Sequence, residues 1–181
     1  MCLSIKNLVK SNKLQEAKEF FSSMLNPDIE DWNQMLKISK TTTEANDLFD
    51  KMVIHEVPNE YTLTYLLNCY LKNNELNKCE ELLMKMENQF NVVANKVHYA
   101  ALMHAVFNVN DVHGVEKILA TMQMKNIELD AIGFHILIKG YINTNNYTKA
   151  QEMFQKMKDV NIYPTQQQSA YYKSQNLVMK K

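Results

Sequence analysis

The chain has 181 residues, room for one globular domain or one short array of repeats. Its 20 basic and 20 acidic residues cancel, which excludes a protein that grips nucleic acid by bulk positive charge. With 46% hydrophobic residues it can bury a core, and with only three Gly and three Pro it lacks the turn residues of a β-sandwich or a glycine-looped nucleotide fold, so the composition points to an all-α chain. All the basic residues are Lys, so any phosphate contact must come from point charges rather than guanidinium forks. Cys2, Cys69 and Cys79 are odd in number and form no C-x-x-C, which argues against a disulfide framework or a zinc site and for a reducing compartment. No apolar run approaches the roughly 18 residues of a membrane span. Met1 to Lys10 runs quickly into a helical pattern and does not read as a signal or transit peptide.

In chain order, the pattern predicts a partial helical unit over 2–26, a short full unit over 28–59, and longer units over 60–95, 96–130 and 131–165. Residues 166–181 read as a terminal helix or cap facing solvent, rich in Gln, Ser and Tyr. Four marker columns keep this register. Met stands at 24, 52, 86, 122 and 157, spaced 28, 34, 36 and 35 apart. Three places earlier stand Phe21, Phe49, Leu83, Leu119 and Phe154. Seven places earlier stand Ala17, Ala45, Cys79, Val115 and Ala150, small enough to let a partner helix approach. Trp32, Leu63, Tyr99 and Phe134 mark the start of each full unit. Within a unit the apolar residues recur at three and four, as in Phe134, Leu137, Ile138 and Tyr141, then Ala150, Met153, Phe154 and Met157; each unit is therefore two amphipathic helices. The separators are asparagine-rich: Asn73-Asn74, Asn108 to Asn110 and Asn143 to Asn146. Asn tolerates the left-handed turn that ends a helix, a role Gly would otherwise fill. The Met and aromatic stripes read as packing, not as a cofactor box.

The segments "PNEYTLTYLLNCYLKNNELNKCEELLMKM", "HYAALMHAVFNVNDVHGVEKILATM" and "GFHILIKGYINTNNYTKAQEMFQKMKDVNIYPT" resemble the pentatricopeptide repeat, and "PDIEDWNQMLKISKTTTEANDLFDKM" resembles its shorter variant. The Met column, the closing Pro-Asn or Pro-Thr and the spacings of 35 and 36 separate it from the 34-residue tetratricopeptide repeat. The resemblance covers nearly the whole chain. It implies an all-α, right-handed superhelical solenoid of stacked helix-turn-helix repeats, with single-stranded RNA lying along the first helices. In the family the fifth and last residues of a unit read one base, and an apolar residue near its start wedges between bases. Carried over, the reading pairs are Asn33 with Asn59, Thr64 with Asn95, Ala100 with Asp130, and His135 with Thr165. The first pair suits a pyrimidine and the second adenine by that analogy. The wedges are Tyr61, Val97 and Ile132, whereas Glu30 at the same step departs from the pattern, as do Ala100 and His135 among the readers. The 60–95 unit is one residue longer than the 96–130 and 131–165 units, which puts the register of Asn95 in question. The competing reading makes Asn59 and Asn95 helix caps and Thr64 an exposed helical residue.

First-helix segments carry five Lys against three acids and second-helix segments eight against eleven, a weak polarity of the sign that RNA along the first helices needs. Lys173, Lys180 and Lys181 make a basic tail that reads as solvated. The five His do not share metal-ligand spacing and read as surface or groove residues; no H-x-E with P-C-x-x-C, no G-x-S-x-G and no phosphate loop is present. The expectation is a non-enzymatic protein with no cofactor, metal or small-molecule substrate, binding single-stranded RNA in organellar, by family inference mitochondrial, RNA processing or translation. The alternative is a structural subunit of a larger ribonucleoprotein whose partners are other proteins.

Overall fold

The structure, a computed structural model, describes residues 4–175 and Leu177. Cys2, Lys180 and Lys181, named above, lie outside the described residues. Eleven α-helices and no strand occur among the described residues, in two compact units, Met1–Ala94 and Asn95–Lys181.

The first unit contains α1 (Ile5–Lys10), α2 (Leu14–Ser22), α3 (Ile29–Ile38), α4 (Thr42–Met52), α5 (Glu60–Lys72) and α6 (Leu76–Phe90). The first helices α1, α3 and α5 pack successively on one another, and α2, α4 and α6 each back the helix that precedes them. The second unit contains α7 (Lys96–Asn108), α8 (Val112–Met124), α9 (Ala131–Asn143), α10 (Tyr147–Asp159) and α11 (Gln166–Ser174). Here α7 packs on α9, with α8 behind α7 and α10 behind α9. Each layer is a row of helical hairpins joined by short turns, the arrangement that an apolar stripe on every helix requires.

The marker columns are the core. Ala17, Ala45, Cys79, Val115 and Ala150 are all 0% exposed, Met52, Met86, Met122 and Met157 are buried, and so are Trp32, Leu63, Tyr99 and Phe134. Burying a Met side chain contributes roughly 1.5–3 kcal/mol each. The column three places before Met divides: Phe49 and Phe154 are buried, whereas Phe21, Leu83 and Leu119 are half-buried. Phe21 compensates by stacking edge-on against Trp32, with ring centroids 4.8 Å apart.

Asparagine does close the turns. Among the described residues seven non-glycine residues have positive φ, and all are Asn: 12, 74, 91, 110, 126, 145 and 161. The three glycines have none, because all lie inside helices. Asn91 is the C-cap of α6, and each of the others sits one step past a C-cap; the residue after it sends its N–H back into the last turn, over five residues except at Asn91, where Val92 N reaches Met86 O. Examples are Glu75 N to Tyr70 O at 3.0 Å, Ile127 N to Met122 O at 2.8 Å and Ile162 N to Met157 O at 2.9 Å. This is the Schellman closure, and it satisfies carbonyls that the helix leaves open. Asn91, Asn126 and Asn161, which close the second helices, stand outside the separators expected from sequence. They also locate the extra residue of the 60–95 segment. From Asn74 to Asn91 is one residue further than from Asn110 to Asn126 or from Asn145 to Asn161, and α6 has 15 residues where α8 and α10 have 13.

The last element departs from its sequence reading. α11 is not simply a solvent face: Tyr172 is 1% exposed and packs edge-on against Phe154, centroids 5.3 Å apart.

Candidate nucleic-acid interface

The sequence of each first helix fixes its own start. Asn59, Asn95, Asp130 and Thr165 are the N-caps of α5, α7, α9 and α11. Asn59 Oδ1 accepts from the N–H groups of Tyr61 and Thr62, at 3.0 and 3.1 Å. Asn95 Oδ1 does the same for Val97 and His98, and Asp130 Oδ1 for Ile132 and Gly133. Thr165 Oγ accepts from Gln168 N. The residues carried over as base readers at unit ends are therefore caps, each tying an otherwise open backbone donor. Asn95 caps α7 as Asn59 caps α5, so the extra residue in α6 is absorbed before it and does not displace it.

A cap two residues upstream aims the next side chain outward. Tyr61, Val97 and Ile132 each follow their cap by two positions and are 66%, 62% and 67% exposed. Leaving three large apolar groups in water at one repeated step is unfavourable packing, and it supplies flat or branched surfaces on which a base can stack. Glu30, at the same step of α3, is instead ion-paired with Lys6 Nζ at 2.6 Å.

The fifth-position residues meet different fates. Asn33 is 4% exposed: its Nδ2 donates to Asn59 Oδ1 at 3.2 Å, and its Oδ1 accepts from the Thr62 hydroxyl at 2.8 Å. The structure thus brings Asn33 and Asn59 together, bridged by Thr62, and a base could engage Asn33 only by breaking that network. Asn59 Nδ2 makes no hydrogen bond among the described residues and is the outward donor of the pair. Thr64 is half-buried, with its hydroxyl donating to Glu60 O at 2.9 Å. Ala100 is buried and has no polar atom in its side chain. His135 is half-buried, with Nδ1 2.7 Å from the Tyr172 hydroxyl oxygen. Burial, together with nearby Lys139, lowers its pKa, so the imidazole is neutral at neutral pH.

Charge at the unit ends is also committed. The backbone N–H of Gly133 outweighs the opposing effect of burial and, with the Lys96 ammonium 3.4 Å away, holds the Asp130 carboxyl below its ordinary value. Lys37 lies over the Tyr65 ring, 6.0 Å from its centroid, which gives α3 and α5 a shared cationic and aromatic surface. On α9, Ile132, His135, Ile136 and Lys139 recur at helical spacing as the accessible stripe.

Sequence reasoning placed all five His on the surface or in a groove; His98 corrects this. It is 2% exposed, and its Nδ1 accepts the N–H of Asn95, closing a capping box. The signal was present in the spacing, a side-chain acceptor three residues past a cap, and Thr62 repeats it behind Asn59. No cluster of three metal-ligating side chains occurs among the described residues, and no described helix is long and apolar enough to cross a membrane.

The pentatricopeptide repeat domain model matches residues 117–168, and the PPR repeat model matches residues 5–27 and 61–89. The chain belongs to the pentatricopeptide repeat (PPR) family. A mitochondrial pentatricopeptide repeat-containing protein of Arabidopsis thaliana is 26% identical over 122 residues, 67% of this PPR chain and 20% of its own length. The chain spans a fifth or less of the curated relatives it matches, and those relatives are named mitochondrial. Two solved PPR structures share the fold. The protein PPR10 in complex with an 18-nucleotide psaJ RNA element superimposes with a TM-score of 0.73 at 21% identity, over 86% of this chain and 23% of that one. The PPR domain of Arabidopsis thaliana protein-only RNase P 1, in complex with tRNA, does so at 0.69 and 15% identity, over 95% of this chain and 91% of that domain.

Proposed function

We propose that this PPR chain is a non-catalytic single-stranded RNA-binding array acting in mitochondrial RNA metabolism or translation. The observation that carries the reading is the repeated step of Tyr61, Val97 and Ile132, large apolar groups held in solvent directly after capped helix starts. A protein with a buried core has no packing use for them there, and stacking between bases gives them one. Lys37, Lys72 and Lys139 on the first helices supply the charge that follows a phosphate backbone. RNA bound to two PPR proteins of the same fold, and the mitochondrial names of the relatives, support the class of ligand and the compartment. On this reading the units run over 28–59, 60–95, 96–130 and 131–165, with Asn59, Asn95, Asp130 and Thr165 at the bases' edge. Thr64 and His135 are the accessible fifth residues, while Asn33 and Ala100 contribute shape rather than hydrogen bonds.

Binding of the chain to single-stranded oligonucleotides of U, C, A and G tests it. The Tyr61→Ala/Val97→Ala/Ile132→Ala variant is expected to lose at least about tenfold in affinity, because stacking is worth roughly 1–3 kcal/mol per base, without losing helicity. Unchanged affinity, or no binding by the parent chain, refutes the reading. A second reading, a structural subunit of a ribonucleoprotein held by other proteins, is favoured by one observation. Leu25, Ile54 and Val57 are 96%, 75% and 74% exposed, away from the first-helix stripes. On that reading the triple variant binds its complex as the parent does, and substitutions at those three residues release it.

A further inference from the structure

His135 is an unusual residue at a base-reading position, and its surroundings decide what it can do. The ring nitrogen Nδ1 lies 2.7 Å from the Tyr172 hydroxyl, and the two rings are tilted, centroids 5.9 Å apart. Two tautomers satisfy that distance. In one, Nδ1–H donates to the phenol oxygen. In the other, the phenol O–H donates to a bare Nδ1, and the imidazole proton sits on Nε2.

The phenol distinguishes them. Tyr172 is 1% exposed, and its hydroxyl makes no other hydrogen bond among the described residues. If Nδ1 carried the proton, the buried O–H would be left without an acceptor, which is unfavourable. If Nδ1 is bare, both groups are satisfied. Burial also pushes the Tyr172 phenol up to about 12, so it remains a donor at physiological pH. The imidazole stays neutral, because burial and Lys139 both disfavour a second proton. Nε2 is therefore an N–H, on a half-buried ring in the α9 stripe between exposed Ile132 and exposed Lys139. Nε2 makes no hydrogen bond among the described residues.

We propose that α11, through Tyr172, holds His135 as an outward hydrogen-bond donor, so that the 131–165 unit selects a base with an oxygen at pyrimidine C4 or purine C6, uracil or guanine, over one with an amine there, cytosine or adenine. The inference rests on the RNA-binding reading above. An Nε2–H can donate but cannot accept, so it meets an exocyclic oxygen as a partner and an exocyclic amine as a second donor. Tyr172 is then a positioning residue, and His135 is the one that touches the base.

The test uses the full chain with 15N-labelled histidine. Long-range proton–nitrogen spectra separate a protonated from a bare ring nitrogen, and the expected result for His135 is a protonated Nε2 with a bare Nδ1. In Tyr172→Phe the two tautomers should mix. Binding is then measured with decamers of uridine and of cytidine. The parent chain is expected to prefer uridine several-fold more than His135→Ala does, and Tyr172→Phe should fall between them. Combining the two substitutions should add nothing beyond His135→Ala alone. A protonated Nδ1 in the parent chain, or a uridine-to-cytidine ratio that His135→Ala leaves unchanged, overturns the inference while RNA binding stands. Failure of the parent chain to bind either decamer overturns the RNA-binding reading and this inference with it. Should Tyr172→Phe lose helicity, the parent spectrum and the His135→Ala ratio decide the matter alone.

Discussion

Replacing the positive-φ asparagines tests whether they hold the turns by backbone conformation alone. In the unit Asn95–Lys181 these are Asn110, Asn126, Asn145 and Asn161, with φ of 58°, 54°, 57° and 58°. None of the four donates or accepts a side-chain hydrogen bond among the described residues, so their value lies in tolerating the left-handed region. A residue with a plain Cβ pays roughly 1–2 kcal/mol there, and Asn pays less. Asn→Ala should therefore cost about 1 kcal/mol per turn. The turns share no side-chain partner, so the quadruple Ala variant should lose about 4 kcal/mol. With a urea slope near 2 kcal/mol per molar, that lowers the unfolding midpoint by about 2 M. The quadruple Gly variant should stay close to the parent, since Gly removes the strain while adding freedom to the unfolded chain. Urea titration followed by helix circular dichroism reads both. An Ala variant that unfolds with the parent, or a Gly variant that falls as far as the Ala variant, refutes the account.

Other outcomes follow from particular contacts. A Cβ at Gly140 would lie 2.3 to 2.5 Å from three atoms of the buried Phe107 ring, so Gly140→Ala should lower the melting temperature by several degrees despite its gain in helix propensity, and Phe107→Leu should recover part of the loss. Burial raises the Cys79 thiol from its ordinary value near 9 to about 12 and the Tyr172 phenol from 10 to about 12, so folding favours both neutral forms. Their contribution is complete below the unfolded values and is lost as pH climbs from about 9 toward 12; urea midpoints across that range should fall less steeply in Cys79→Ala. Asp130→Asn keeps a capping oxygen for Ile132 and Gly133 and frees Lys96, so it should change stability by less than about 1 kcal/mol and tighten binding of single-stranded RNA, most at low salt. Asp130 is held below its unfolded pKa, so its contribution exists above that value and fades as pH drops through the folded one; the acid limb of the stability curve should be shallower in Asp130→Asn.

What the sequence made legible was whatever repeats. Ala17, Ala45, Cys79, Val115 and Ala150 could be placed in the core from their spacing alone, because packing imposes one small residue per hairpin. Asn74, Asn110 and Asn145 could be placed at turns because they sit in asparagine clusters. Asn91, Asn126 and Asn161 could not, since each stands singly and a lone Asn is equally at home in a helix or a loop. The candidate site was legible in position but not in chemistry. Spacing found Asn33 but gave no hint that Thr62 and Asn59 would consume both ends of its amide. It found His135 but not Tyr172, 37 residues away, because no local pattern encodes that pairing. His98 was misplaced since its capping role depends on Asn95 rather than on its own helix face.

The five fully enclosed small residues carry a consequence for how the chain tolerates change. At each, a bulkier side chain has no direction in which to grow except into the neighbouring helix, whereas adjacent exposed sites accept almost anything. A saturation library selected only for solubility would therefore show a comb of depleted substitutions with teeth 28, 34, 36 and 35 residues apart. The outlying first interval would mark the short hairpin without reference to any coordinates.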